Sequence, residues 1–173
     1  MSLRTLGTRF SSCLRVSVAS CAAGATLLAA TSALAQMPNP YGPPITADVA
    51  KRVAAAGIAE AKKNAWTQAV AITDIAGDLV YFEKMDGTQG ASIDIAIDKA
   101  RASVRFKRPT KALQDALAAG GEGWRFLTLR GVVAAEGGIP IVIDGKIVGA
   151  VGVSGGTGAQ DGQAANAAIA ASK

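Results

Sequence analysis

Apolar residues recur along the chain with two different periods, and the switches between them mark its elements. From Thr46 to Asn64, Val49, Val53, Ala56, Ile58 and Ala59 make a mostly apolar side; Thr46 stands as an N-cap and Asp48 favours the positive end of the dipole, so a helix is predicted there. From Trp66 to Thr73 the period shortens to two, with Gln68, Val70 and Ile72 alternating against Ala69, Ala71 and Thr73. Asp74-Ile75-Ala76-Gly77-Asp78 has turn composition, and Leu79 to Lys84 resumes the alternation, which predicts a hairpin. Ile93, Ile97, Ala100 and Val104 return to helical spacing behind Ser92 as the expected cap, and Pro109 ends that helix near Lys107. Thr110 is expected to cap a short helix carrying Leu113, Ala116 and Leu117. Gly120-Gly121-Glu122-Gly123 breaks it, and Trp124 to Arg130 fits neither period.

A second hairpin is written most plainly. Two apolar runs, Ile139 to Ile143 and Lys146 to Ser154, flank Asp144-Gly145, the composition of a type I′ turn whose two central residues need positive φ. On the second run Ile147, Gly149, Val151 and Val153 are expected on one face and Val148, Ala150, Gly152 and Ser154 on the other. Glycines at 149, 152 and 155 weaken a strand unless a helix, a subunit or a ligand approaches its backbone closely, and helix packing is the simplest of these. Val132 to Glu136 reads as a further strand leading through Gly137-Gly138 into the hairpin. Ala159 to Ala171 reads as a closing helix capped at Thr157 or Asp161. The predicted order is α-β-β-α-α-β-β-β-α, an α+β domain of antiparallel strands with helices packed on them. Gln36 to Ile45, with prolines at 38, 40, 43 and 44, cannot hold a helix and reads as an extended arm available to a neighbour.

Charge and composition change this picture at the N-terminus. Arg4, Arg9 and Arg15 precede a small-residue apolar stretch from Val16 to Ala30 and an Ala33-Leu34-Ala35 cleavage signature, so residues 1–35 read as a secretory signal peptide and the product as periplasmic or secreted. Val18-Ala19-Ser20-Cys21 resembles a lipoprotein box, but a cut there leaves almost no apolar stretch after Arg15. Without the leader, 18 cations become 15 against 13 acids, a balance of +2 rather than +5. Net charge therefore gives nucleic-acid binding no support. Cys13 and Cys21 both fall in the leader, which leaves no disulfide to the mature domain. The chain has no histidine, which excludes Ser-His-Asp triads, imidazole zinc sites and the usual proximal haem ligand. No stretch after the leader is long and apolar enough to span a membrane.

The candidate chemistry lies in one run. Lys99, Arg101, Arg105, Lys107, Arg108 and Lys111 put six cations in thirteen positions. Arg101 and Arg105 are one helical turn apart and could clamp carboxylates or phosphates through their planar forks; the plain alternative is a solvated helix face. Asp94 and Asp98 share a face, but capping and ion pairing account for them without a metal. Gly155-Gly156-Thr157-Gly158 lacks the Gly-Lys-Ser/Thr ending of a phosphate-binding loop. Trp66, Trp124, Tyr81 and Phe82 are not interleaved with the cations, so they read as core or interface residues.

Four ordered motifs carry a resemblance. The run from Ser92 to Arg101, then Phe106 with Arg108-Pro109-Thr110, then Gly137-Gly138-Ile139-Pro140-Ile141, then Asp144 to Gly155, resembles the GlcG/HbpS family of haem-binding or haem-degrading domains over Thr46 to Ala171. The resemblance implies a five-stranded antiparallel sheet flanked by helices in a domain spanning residues 46–173, assembly into homo-oligomers, and haem or a related tetrapyrrole as ligand. Lys99, Arg101 and the Gly137-Gly138 turn match its motif; with Arg105 and Thr110 they form the expected ligand-binding set. Without histidine, an iron ligand would come from Thr110, Thr128, Tyr81 or Met85 by chemistry alone. The expected function is exported binding or sequestration of a tetrapyrrole. An accessory protein or enzyme acting on a small anionic metabolite, such as a hydroxy acid, is the alternative from another class.

Overall fold

The computed structural model of the protein describes residues 39–173. The expected leader, its cleavage site and the first residues of the arm lie outside them. The elements are α1 (Ala47–Lys63), β1 (Ala69–Thr73), β2 (Leu79–Lys84), α2 (Ser92–Phe106), α3 (Thr110–Ala118), a 3-10 helix (Gly121–Leu127), β3 (Gly138–Ile143), β4 (Lys146–Ser154) and α4 (Gly158–Ala170). The strands form one antiparallel sheet in the order β2-β1-β4-β3, so both expected hairpins form and meet through β1 and β4. Asp144 (φ 48°) and Gly145 (φ 72°) supply the two positive φ angles that the β3–β4 turn requires.

The sheet has four strands rather than five. Val132 to Glu136 is a loop, bracketed by positive φ at Gly131 (81°) and Gly137 (125°). The backbone N–H of Glu136 donates to Gln114 Oε1 at 2.8 Å instead of to a strand neighbour. Trp124, which fits no period, lies in the 3-10 helix, where Gly123 is pressed so closely on the Ala116 carbonyl that no Cβ fits.

Helices cover both faces of the sheet. On one face Val53, Ala54 and Ile58 of α1 and Ala164, Ala165 and Ala168 of α4 pack against Val70, Ile72, Ile141, Val151 and Val153. On the other, α2 lies across β1 and β4: Ala96 meets Ala69 and Ala71, and Val104 meets Ile147 and Ala150. A Cβ at Gly152 would fall on the Ala96 carbonyl oxygen and 2.6 Å from the Ala100 nitrogen, so this strand glycine admits a helix backbone. Ala100 and Val104 are buried as the period predicts, but Ile93 and Ile97 are only half-buried, and Ser92, Ala96, Lys99 and Ser103 complete the covered face. Small residues are needed wherever the helix approaches so closely. A bulge opposite Ile141/Val142 leaves Val148 unpaired and reverses the alternation. Ile147 consequently faces α2, and Val148 joins the α1/α4 core, opposite to the expected faces.

Capping follows local chemistry in two of four helices. Thr46 accepts from the Val49 N–H, and Thr157 and Gln160 form a reciprocal capping box on α4. Ser92 and Thr110 are instead the first helical residues behind Ala91 and Pro109, with their hydroxyls turned into the interior.

The arm packs on its own sheet. Gly42 N and Ile45 N donate to Ile147 O and Val148 O, and Ile147 N donates to Pro40 O, all at 2.8 Å, alongside the part of β4 beyond the end of β1. Tyr41 is anchored by its hydroxyl on Val104 O at 2.9 Å, and the Lys107 ammonium lies 4.2 Å over its ring. No helix among the described residues is long and apolar enough to cross a membrane.

Candidate functional site

The six residues expected to bind a ligand fall into two places. Lys99, Thr110, Gly137 and Gly138 form one unit, and Arg101 and Arg105 form another on the outer side of α2.

The first unit is built around a buried ion pair. Lys99 Nζ lies 2.7 Å from Asp161 Oδ2, with the two side chains 4% and 3% exposed, and it also donates to Val153 O at 3.0 Å. Asp161 Oδ1 accepts from Gln68 Nε2 at 3.0 Å and from the Gly156 N–H at 2.9 Å. Burial pushes the Asp161 carboxyl above the usual aspartate value, against the hydrogen bond and charge of Lys99 and the bonds from Gly156 and Gln68. α2, α4, β4 and the residue before β1 are thereby tied at one point.

Gly137 and Gly138 pack against this point. A Cβ at Gly137 would stand 2.6 Å from Val153 O and 3.0 Å from Lys99 Nζ, and one at Gly138 would strike the Lys99 carbonyl. Thr110 Oγ1 accepts from the Gly138 N–H at 2.9 Å and so fixes the start of β3. The glycine turn is therefore seated on Lys99. Its outer surface, with Lys111, Glu136 and Asn166, lines a cavity of about 230 Å³.

The second unit faces solvent. Arg101 Nε donates to Gly77 O and Arg105 Nε to Ala76 O, each at 3.1 Å, across the β1–β2 turn. That turn is organised by Asp74 Oδ1, which accepts from the N–H groups of Ala76, Gly77 and Asp78 at 2.9–3.0 Å. Both arginines, with Asp98, Gly131, Val132 and Val133, line a cleft of about 310 Å³.

Just before this wall the chain exposes a set of large apolar side chains. Trp124 is 63% exposed, Leu127 71% and Leu129 44%, while Phe126 turns inward. Neither period marks this segment, and the alternation of exposed and buried positions in a 3-10 helix has no signature of its own in the sequence. Asp161, the partner of Lys99, and Gln68, which donates to Asp161, were equally hidden, since a lone acid near a helix start reads as a cap and a lone amide as one member of a strand alternation.

The pattern of elements and motifs can be set beside known proteins. A family model described as "Haem degrading protein HbpS-like" matches residues 45–170. The chain belongs to the HbpS-like family. Among its relatives, GlcG of Escherichia coli strain K12 is 40% identical over 110 residues, 64% of this chain and 81% of GlcG. A 15.0 kDa protein from the dhaT-dhaS intergenic region of Citrobacter freundii is 33% identical over 119 residues, 68% of this chain and 84% of that protein. In structure, Klebsiella pneumoniae protein ORFY superposes with a TM-score of 0.72 at 26% identity, covering 78% of this chain and 94% of its own. A double-mutant HbpS of Streptomyces reticuli gives 0.69 at 29%, covering 75% and 87%. PduOC, solved as a haem complex, gives 0.68 at 28%, covering 74% and 94%. The HbpS-like match spans α1 to α4, so the buried pair, the arginine cleft and the exposed apolar segment all fall inside it.

Proposed function

We propose that this chain is an exported protein that binds haem or a related tetrapyrrole as a homo-oligomer, and that it sequesters the ligand rather than transforming it. The observation that carries the reading is the exposed set Trp124, Leu127 and Leu129 within a domain of the HbpS-like family. A flat apolar macrocycle laid on these side chains removes them from water, and burying each contributes up to about 1.5–3 kcal/mol.

The residues fit the ring better than they fit strong coordination of iron. Thr110 is buried and occupied by Gly138, Tyr81 donates to Glu83 Oε2 at 3.3 Å, and Met85 packs against the α1/α4 core. Thr128 remains, exposed between Leu127 and Leu129, with its hydroxyl donating to Arg125 O at 2.9 Å. Haem bound here would supply a redox-capable iron held by a weak oxygen ligand at most, a setting that suits storage or transfer. Titration of the purified protein with hemin, followed by absorbance with the mass in solution measured on the same sample, tests this reading. A saturable Soret shift at a defined ratio supports it, and a spectrum no different from that with an inert protein overturns it.

A further inference from the structure

The geometry points to the Arg101–Arg105 cleft as a two-fork clamp for paired carboxylates, the propionate edge of the tetrapyrrole whose ring lies on Trp124, Leu127 and Leu129. This assignment rests on the haem reading above.

Three features separate the cleft from an ordinary solvated helix face. Its two cations are anchored: each Nε donates to a turn carbonyl at 3.1 Å, which orients both guanidinium groups on the wall of the cleft. Gly77, at φ 92°, makes room for this, because a Cβ there would stand 2.9 Å from Arg105 Nε. The turn that supplies the carbonyls is itself locked by three hydrogen bonds to Asp74. Two arginines fixed in this way lose little side-chain freedom on meeting an anion.

The charges in the cleft are only partly neutralised. Asp98 Oδ1 lies 3.6 Å from Arg101 Nη1, beyond the 2.7–2.9 Å of a charge-assisted hydrogen bond, so the cleft keeps two cations against one loosely held acid. Lys99, the other cation of the expected ligand-binding set, has its charge committed to Asp161 inside the protein. The forks sit four residues apart on α2, about 6 Å along the axis, a separation that lets two carboxylates carried on one edge of a ligand each take its own fork.

Position completes the argument. Leu129 and Gly131 are two residues apart, so the apolar surface and the cleft wall are within about 7.6 Å along the backbone. A ligand with an apolar ring and carboxylates on a single edge matches that adjacency.

The test compares hemin with hemin dimethyl ester, which has the same ring and no free carboxylate, on the full chain and on Arg101→Gln/Arg105→Gln. The expected result is hemin binding weakened about 10- to 100-fold by the double substitution, with binding of the ester unchanged. Arg101→Lys/Arg105→Lys keeps both charges without the forks; it should lie between, and it serves if the Gln pair does not fold by circular dichroism. Equal hemin affinity in all variants, or equal weakening of hemin and ester, overturns the clamp and leaves the haem reading standing. If the unmodified chain binds no hemin, the haem reading fails, and succinate decides the clamp. A saturable succinate shift of the Arg101 and Arg105 Nε–H resonances, lost in the Gln pair, retains a carboxylate site for a small anion. No such shift overturns the site as well.

Discussion

Lys99 and Asp161 place opposite charges 2.7 Å apart where water is almost excluded, and losing one of them differs from losing both. Lys99→Met leaves a carboxylate buried beside Gln68 and Gly156 with no counter-charge, which should lower the unfolding free energy by about 3–5 kcal/mol in a urea titration. Lys99→Met/Asp161→Leu removes both charges and should recover most of that loss; a double variant as unstable as the single one would mean that the pair is needed for more than charge balance. The same carboxyl sets a pH dependence. Burial raises Asp161 above its ordinary 3.8, so between 3.8 and the raised value the folded chain keeps a proton that the unfolded chain has released. Its contribution is full below 3.8 and is lost as pH rises through the raised value. The stability of the native chain measured relative to Asp161→Asn should therefore fall across that window. A difference that climbs with pH instead would show that Lys99, Gly156 and Gln68 outweigh burial. Any assay of Lys99 as a ligand contact has to be separated from this structural role, because Lys99→Ala disturbs the seat of Gly137 and Gly138 at the same time.

Elements pack here through small residues, so the cost of a single methyl is high where backbone meets backbone. Gly152→Ala would push a Cβ into the Ala96 carbonyl under α2 and should cost at least about 1–3 kcal/mol. Gly90→Ala, which meets nothing within 4 Å, should stay within about 0.5 kcal/mol of the parent when the two are melted side by side. If both are equally mild, α2 is not held against β4 as closely as described. The same elements show what a sequence can reveal. The Asp144-Gly145 turn, the Thr46 cap and the end of α2 at Lys107 (φ 52°) depend on a few adjacent residues, so their requirements are written locally. Val132 to Glu136 has a strand-like start, but the bond from Glu136 to Gln114, 22 residues away, competes for its backbone, and nothing nearby announces it. Ile147 changes face because one unpaired residue, Val148, interrupts an otherwise regular alternation. The site divides along the same line. Arg101 and Arg105 are together because they share a helix turn, whereas the partner that takes Lys99 out of the ligand set lies 62 residues further along the chain. Ile93 and Ile97 satisfy the helical period, yet the sheet accepts Ser92 and Ala96 beside Ala100 in their place, since only small side chains let α2 approach Gly152.

At the scale of the whole molecule, the proposed haem reading makes the exposed apolar segment the feature that sets how many copies one ligand needs. Trp124, Leu127 and Leu129 are exposed close together in the sequence of each protomer, and on the haem reading they cover one face of a flat ring, while its other face would remain in water. Among the described residues, Thr110, Tyr81 and Met85 are engaged elsewhere and cannot hold a ring so poorly covered. A second copy placed by a two-fold axis presents the same three side chains to the opposite face, because a two-fold interface repeats one patch on both partners. Saturation at one hemin per two chains is therefore expected, with the mass in solution at saturation corresponding to an even number of chains. Trp124→Ser/Leu127→Ser should weaken hemin binding by about 10- to 100-fold, as expected for apolar area no longer removed from water. Both residues are mostly exposed, so the unfolding midpoint should barely move. The two readouts separate the roles of the surface. Lost hemin affinity with an unchanged mass places these side chains against the ring. A mass that halves before any ligand is added places them in a subunit interface that exists without it. Saturation at one hemin per chain on a monomer would show that one face suffices, and the ring would then need a contact beyond these three residues to hold it.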